Sequence, residues 1–270
     1  MRLKNIYDKY KAFLLDIDGV IRNNDIIIDG AKEACNSLIS SGKKIIYFTN
    51  NSTQSSKDYA LFLSNNGFLI GDQDIITSSQ VIVDCVKKQK NIKKVFIVGE
   101  RALREIFIYN GFSITDAIDA DCVIVGYNPN VNYRQLAIAH QCLVNGAFYG
   151  VTNPDLITPA PPPLSTMPGA GAFAAFLSAS SGRKPDIIAG KPYPAIYTKI
   201  FEKLNDIDKQ FILAIGDNWD TDGIGAYNHS IDFLLVLSGV TQSTKDIKPL
   251  FVEEKLSDLF FKTKDNLSND

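Results

Sequence analysis

The sequence predicts an α/β chain built on a doubly wound parallel sheet, and three observations carry that reading. Short β-rich apolar runs at residues 13–17, 45–48, 211–215 and 233–237 each stop at a polar or glycine-containing turn. Segments of helical character, 31–40, 56–65, 195–204 and 221–227, lie between them. A second α/β stretch, from about 81 to about 180, repeats the alternation and is long enough to be an inserted domain.

Near-continuous apolarity marks strands covered on both faces, and strands alternating with helices give a parallel sheet. Within the insert the strands are expected at 95–98, 122–125 and 148–152, with helices at 102–109 and 133–144. These elements set the boundaries: residues 1–79 and 182–270 form the core, and 80–181 the insert. Between 158 and 168 stand Pro159, Pro161, Pro162, Pro163 and Pro168. So many prolines feed neither a helix nor a central strand and favour extended geometry. Gly169 and Gly171 behind them suggest a hinge on the way back to the core. The polar tail after Phe261 is expected to fray.

Composition narrows the function classes. At 270 residues and 45% hydrophobic, the chain can fill one large core or two modest ones. A net charge of -2 gives no basic footprint for a nucleic-acid polymer. Cys35, Cys85, Cys122 and Cys142 are widely spaced, form no C-x-x-C pair and read as reduced, buried thiols. With His140 and His229 the only histidines, a histidine-rich zinc or iron site is set aside, and any metal must be held by oxygen. No apolar run reaches the roughly 20 residues that cross a bilayer, and the N-terminal run 12–15 is too short for a signal peptide. A cytoplasmic location without membrane contact is the expectation. A homo-oligomer stays open.

Four groups of unusual residues sit where expected strands stop, and in an open parallel sheet such ends face a common crevice. Asp16-Ile17-Asp18-Gly19-Val20 extends a buried strand by two acids on one side, with a glycine that lets the chain turn. Thr49-Asn50-Asn51-Ser52-Thr53 offers a hydroxyl and backbone N–H groups, suited to an anion or to capping a helix. Gly190-Lys191-Pro192 brings one ammonium group, which alone reads as a solvated charge. Gly216-Asp217-Asn218-Trp219-Asp220-Thr221-Asp222 brings three acids; Asp220 and Asp222 equally suit the positive end of a following helix.

Together the groups say more than each alone. If Asp16, Asp18 and Asp217 share a crevice, each like-charge pair about 4 Å apart costs on the order of 4 kcal/mol at an effective dielectric of 20. An oxygen-loving divalent cation relieves that repulsion, and magnesium, which binds one or two carboxylates plus a phosphate, fits the supply. The hydroxyl, the amides and the lysine are then what a phosphate group requires.

In this order DIDGV, TNNST, GKP and GDNWDTD resemble the four motifs of haloacid dehalogenase superfamily phosphatases. The long insert between the second and third motifs, with VGE at 98–100, TNPD at 152–155, PGAGAF at 168–173 and VLSGV at 236–240, resembles the NagD-like, 4-nitrophenylphosphatase branch. The resemblance implies a Rossmann-like core with an inserted α/β cap. It implies Asp16 as nucleophile, Asp18 as general acid and base, Lys191 as a third catalytic group that neutralises charge on the phosphoryl group and Asp16, and Thr49, Asn50, Asn51 and Lys191 as phosphate-binding groups. Mg2+ would be held by Asp16, the backbone carbonyl of Asp18 and Asp217, with Asp222 in or beside its coordination sphere. Asp18 favours a phosphate ester over a carbon–halogen bond, since a halide leaves without a proton. Trp219 and Asp220 depart from the expected fourth motif and bear on the entrance or on metal affinity.

The substrate implied is a small phosphorylated metabolite: a nucleotide monophosphate, a sugar phosphate, phosphoglycolate or pyridoxal phosphate. Tyr127, Asn128 and Arg134 are candidates to meet its leaving group. A phosphotransferase or mutase using the same aspartyl-phosphate is the alternative enzyme. A phosphorylatable signalling domain is disfavoured by Asp18 and the insert, and a P-loop NTPase because Pro192 follows Gly190-Lys191.

Overall fold

The computed structural model of the chain describes residues 8–160, 162–241, 243–244, 247 and 249–261. The expected fraying after Phe261, and Pro161 of the proline-rich stretch, lie outside the described residues. The chain divides into two compact units. One comprises Met1–Thr49, Lys57–Ile76 and Ile200–Asp270, the other Asn50–Ser56 and Thr77–Lys199.

In the first unit a six-stranded sheet has the order Phe251–Glu253, Asp232–Val236, Ile212–Gly216, Ala12–Asp16, Lys44–Thr49, Ile75–Thr77. Ala12–Asp16 is central and buried at every residue, as an uninterrupted apolar run requires. It runs parallel to both neighbours, with Leu15 level with Ile215 on one side and Tyr47 on the other. The carboxyl ends of these three strands therefore stop together, which aligns Asp16, Thr49 and Asp217 along one edge.

Helix Ala31–Ser40 buries Ala31, Ala34, Cys35 and Leu38, the i, i+3, i+4, i+7 face of an amphipathic helix. It joins Tyr10, Phe13, Leu15, Tyr47, Tyr59 and Leu63 in the core of this unit. Helix Ser56–Asn65 keeps its expected bounds, and the helix expected at 195–204 starts one residue early, with Pro194 in the first turn where its missing N–H costs nothing. The helix expected at 221–227 is different. A wide turn, Trp219–Gly223, precedes a short helix, Ile224–Asn228.

The second unit holds a five-stranded sheet, parallel throughout, in the order Ile187–Ile188, Phe148–Val151, Cys122–Val125, Lys94–Val98, Ser113–Ile114. Its core gathers Phe96, Val98, Val123, Val125, Tyr149, Val151 and Leu177. Helices Arg101–Tyr109 and Tyr133–Val144 fall where the sequence predicts them. Helix Ser78–Lys87 is an addition to the expected elements, although Thr77 and Gln80 form the capping box that starts it.

The proline-rich stretch is extended, as expected, and forms an antiparallel ribbon, Ile157–Pro159 with Thr166–Pro168, because prolines are admitted where no central ladder is needed. Two local expectations are corrected. Gly169 and Gly171 are no hinge: they open helix Ala170–Ser181, and a Cβ at Gly171 would run into the Pro154 carbonyl. The Gly171 N–H instead donates to the Asp155 carbonyl at 2.9 Å. Ile187–Ile188, which leads into Gly190-Lys191-Pro192, does not stand beside the strands of the first sheet, where its place after residue 182 would put it. It pairs with Phe148–Val151 of the second, where Ile188 packs on that unit's core.

The four cysteines are free thiols, as expected, but Cys85 is half-buried where Cys35, Cys122 and Cys142 are buried, and burial pushes Cys35 up to about 12. Among the described residues no helix is long and apolar enough to cross a membrane.

Candidate active site

Two strands and one wide turn of the first unit build an acidic pocket. Asp16 ends Ala12–Asp16, Asp217 follows Ile212–Gly216, and the turn Trp219–Gly223 carries Asp222. In that turn the Gly223 N–H reaches five residues back to the Asn218 carbonyl, at 3.4 Å, while the Asp222 N–H reaches it at 2.8 Å. The extra residue in the turn brings Asp222 back beneath the strand end, against Gly216. Its carboxylate accepts from the Asn218 N–H at 3.2 Å. The Asn218 side chain accepts the Asp220 N–H at 3.0 Å and so starts the turn.

Carboxylate oxygens of Asp16, Asp217 and Asp222 all lie within 4.8 Å of one another, and the three residues are 7%, 3% and 0% exposed. Buried anions at such spacing repel strongly unless a cation stands among them. The donors are all hard oxygens, so these residues fit a divalent cation of the magnesium or calcium kind.

The pocket is closely fitted around Asp217. One of its oxygens accepts the Val240 N–H at 2.7 Å, and its backbone carbonyl accepts the Thr241 N–H at 2.9 Å. Gly19, at φ +88°, and Gly239 press against the same carboxylate, and a Cβ on either would occupy its space. The Ser238 hydroxyl donates to the Gly19 carbonyl at 2.6 Å and ties the two glycine segments together. The glycine of DIDGV thus does more than turn the chain: it makes room for Asp217, far away in sequence.

The Asp18 carboxylate stands outside the acidic triplet. Its Oδ1 accepts from Arg22 Nε at 3.1 Å, and its side chain is 40% exposed where that of Arg22 is 5% exposed. Thr49 is buried at the end of its strand. Nearby in the chain, Tyr59 is fully buried, and desolvation, helped by the charges of Asp18 and Asp16, holds its hydroxyl well above the usual range.

In the second unit the remaining motifs converge on Asn50. Its Oδ1 accepts the Lys191 N–H at 2.7 Å, and its Nδ2 donates to the Lys191 carbonyl at 3.1 Å and to Asp155 at 3.2 Å. The Asn50 carbonyl in turn accepts from Asn153 Nδ2 and from the Ser78 hydroxyl, both at 2.8 Å. Gly190 lies against Asn50 and Asn153 with no room for a side chain. Lys191 is 2% exposed and is no solvated surface charge. Asn51 turns its Oδ1 to the N–H and hydroxyl of Thr53, an Asx turn that shapes the segment.

The leaving-group candidates separate. Asn128 is buried and lines a cavity of about 400 Å3 with Thr53, Glu100, Arg101 and Asn130. Tyr127 is half-buried, its hydroxyl raised by burial and by Glu100, and Arg134 is exposed on its helix. Neither lines that cavity. Trp219 packs edge-on against Phe233, ring centres 6.0 Å apart, and Asp220 faces solvent. Sequence reasoning missed Arg22, and it gave no role to Asn153 or the Gly239–Val240 backbone although both lie in quoted motifs, TNPD and VLSGV. A lone arginine four residues after Asp18 in an apolar run was the available signal for the first.

Comparison with known proteins decides the family. Residues 13–113 match a model described as haloacid dehalogenase-like hydrolase, and residues 188–259 a second, HAD-hydrolase-like one. An acid sugar phosphatase of Staphylococcus aureus is 32% identical over 254 residues, 93% of this chain and 96% of that one.

The chain is a haloacid dehalogenase-like hydrolase.

Solved structures agree. A p-nitrophenyl phosphatase from Archaeoglobus fulgidus superposes with a TM-score of 0.86 at 31% identity, covering 93% of this chain and 98% of that one. A glycerol phosphate phosphatase from Mycobacterium tuberculosis, in complex with magnesium, does so at 0.81 and 27%, covering 94% and 77%. This hydrolase therefore belongs to the NagD-like branch that its motifs indicated, and it is a phosphoric monoester hydrolase.

Proposed function

We propose that this hydrolase releases phosphate from a small phosphorylated metabolite, with a sugar or polyol phosphate favoured, in a magnesium-dependent reaction through an aspartyl-phosphate on Asp16. The observation that carries the reading is the buried triplet of Asp16, Asp217 and Asp222, whose charges call for a hard cation. The names of the Staphylococcus and Mycobacterium relatives support the substrate class. So does the cavity lined by Thr53, Glu100, Arg101, Asn128 and Asn130, rich in groups that bond hydroxyls.

Asp16, Asp217, Asp222 and the Asp18 carbonyl would hold Mg2+. When bound, the ion offsets negative charge on the carboxylates and on the phosphoryl oxygens. The bond-making steps belong to the protein's own residues. Asp16 attacks phosphorus in line; the bond from phosphorus to the ester oxygen breaks, its electron pair goes to that oxygen, and Asp18 supplies the proton, so the alcohol leaves. Asp18, now a carboxylate, takes a proton from a water that attacks phosphorus. The Asp16–phosphorus bond breaks, its electron pair returns to the carboxylate, and phosphate is released. Thr49, Asn50, Asn51 and Lys191 are assigned to the non-bridging oxygens by the resemblance. The Asn50 side chain is itself engaged by the Lys191 backbone. Residues 80–181 are taken as the cap, and the free thiols suit a cytoplasmic setting.

The test is phosphate release across a panel of sugar, polyol, nucleotide and glycolate phosphates, with magnesium and with EDTA. Activity that survives EDTA, or an Asp16→Asn enzyme as fast as the parent, would overturn the reading. Inorganic phosphate that falls short of the substrate consumed when alcohol acceptors are added, with the missing phosphorus found on a phosphorylated alcohol, would favour phosphotransfer instead.

A further inference from the structure

We infer that Arg22 is a positioning residue for Asp18, a fixed grip on the group that exchanges protons with the leaving oxygen. The inference rests on the role proposed for Asp18.

The chain first closes on itself around the acid. The Ile21 and Arg22 N–H groups donate to the Ile17 carbonyl at 2.9 and 3.1 Å, and the Gly19 N–H donates to the Arg22 carbonyl at 2.8 Å. This tight loop sets Arg22 level with Asp18. The guanidinium is then immobilised from two sides: its carbon lies 4.8 Å from the ring centre of Tyr59 and 5.0 Å from that of Phe62. Tyr59 is fully buried and Phe62 half-buried, so the guanidinium has rigid walls. Arginine is the residue for such a seat, being planar, always charged and apt to stack on aromatic faces.

The asymmetry of the pair is what gives it a function. A buried cation is costly unless it is paired. Here the cation is buried while the acid is 40% exposed. The immobile member fixes Oδ1 of the accessible member, which restricts a side chain that would otherwise sample several rotamers in water. An acid already aimed contributes more to proton transfer than a free one, because its orientation is paid for in folding. A lysine at 22 would supply the charge without the stacked plane, and a methionine the bulk without the charge.

The experiment compares kcat/KM for p-nitrophenyl phosphate, whose phenolate leaves with little help, and phenyl phosphate, whose leaving oxygen needs a proton. Parent, Arg22→Met, Arg22→Lys, Phe62→Ala, Asp18→Asn and Asp18→Asn/Arg22→Met enzymes are measured with magnesium. Arg22→Met is expected to lower kcat/KM for phenyl phosphate about 10- to 100-fold more than for p-nitrophenyl phosphate, a part of the roughly 10²- to 10⁴-fold that general acid catalysis supplies. Arg22→Lys recovers part of that ratio, and Phe62→Ala shifts it in the same direction by roughly threefold. In the Asp18→Asn background the arginine change leaves the ratio alone.

Because both substrates report on the same active molecules, the ratio is unaffected by a partly unfolded preparation. If Arg22→Met folds too poorly to assay, Phe62→Ala and Arg22→Lys decide. Equal loss on both substrates, or a further shift of the ratio without Asp18, overturns the inference. If Asp18→Asn itself leaves the ratio unchanged, it is the role of Asp18 that fails. A selective Asp18→Asn with a non-selective Arg22→Met rejects Arg22 alone.

Discussion

The acidic pocket of the first unit and the Asn50 cluster of the second are both built from strand-end motifs, yet they are in opposite electrostatic condition. Asp16, Asp217 and Asp222 crowd three buried carboxylates together, an arrangement that invites a ligand. Around Asn50 both side-chain atoms are engaged: the amide bonds the N–H and carbonyl of Lys191 and reaches Asp155. The first region is held ready for an ion. The second is a clamp that fixes a lysine-bearing loop by neutral hydrogen bonds. Substitutions in the first should therefore change chemistry and metal response more than folding, and substitutions in the second should change folding first.

The largest effect is expected at Asp16. Asp16→Asn keeps the shape of the pocket and removes a charge, and it should lower phosphate release by on the order of 10³-fold or more with an unfolding midpoint near the parent's. A large fall in that midpoint would mean the pocket is structural after all. Next, Asp217→Asn should raise the magnesium concentration for half-maximal activity roughly 100-fold, and Asp222→Asn roughly 10-fold, measured by titrating the metal into EDTA-stripped enzyme. Equal and negligible shifts would break the assignment of the triplet.

Gly239→Ala sharpens the comparison, because it alters no acid. Its Cβ would displace the Asp217 carboxylate and weaken the Val240 N–H bond. About a 10-fold loss of magnesium response is expected, with a stability cost of about 1–3 kcal/mol. In the second unit Asn50→Ala strands the buried Lys191 N–H and should cost about 1–3 kcal/mol in urea unfolding while leaving the magnesium requirement unchanged. A shifted metal requirement with normal stability would reverse the contrast drawn between the two regions.

Much of this was legible in the sequence where a single physical rule governs. Buried parallel strands read as unbroken apolar runs, and the helices over 31–40, 56–65 and 133–144 show both their apolar stripe and their limits. Asp16 and Asp217 were legible because acids terminating a buried strand are costly without a partner. The features that escaped depend on partners chosen in three dimensions. Ile187–Ile188 is apolar enough for either sheet, and only the open edge of Phe148–Val151 determines where it pairs. Asn50 offers donors that suit an anion as well as a neighbouring loop, so composition alone could not assign its side chain to Lys191. Arg22 drew no notice because nothing in the sequence around it marks the Tyr59 and Phe62 rings that enclose it. Trp219 and Asp220 departed from the family pattern for a reason that only the packing supplies: one covers Phe233 and the other faces water.

The wide turn at Trp219–Gly223 has a consequence for how this segment tolerates insertion and deletion. Each residue added to or removed from a helical turn rotates the succeeding residues by about 100°. Loss of the exposed Asp220 would contract the turn to ordinary pitch and swing Asp222 away from Asp16 and Asp217, although no carboxylate of the triplet had been deleted. The length of that turn is thus under stricter constraint than the identity of its outward-facing residue: position 220 accepts exchange but not omission.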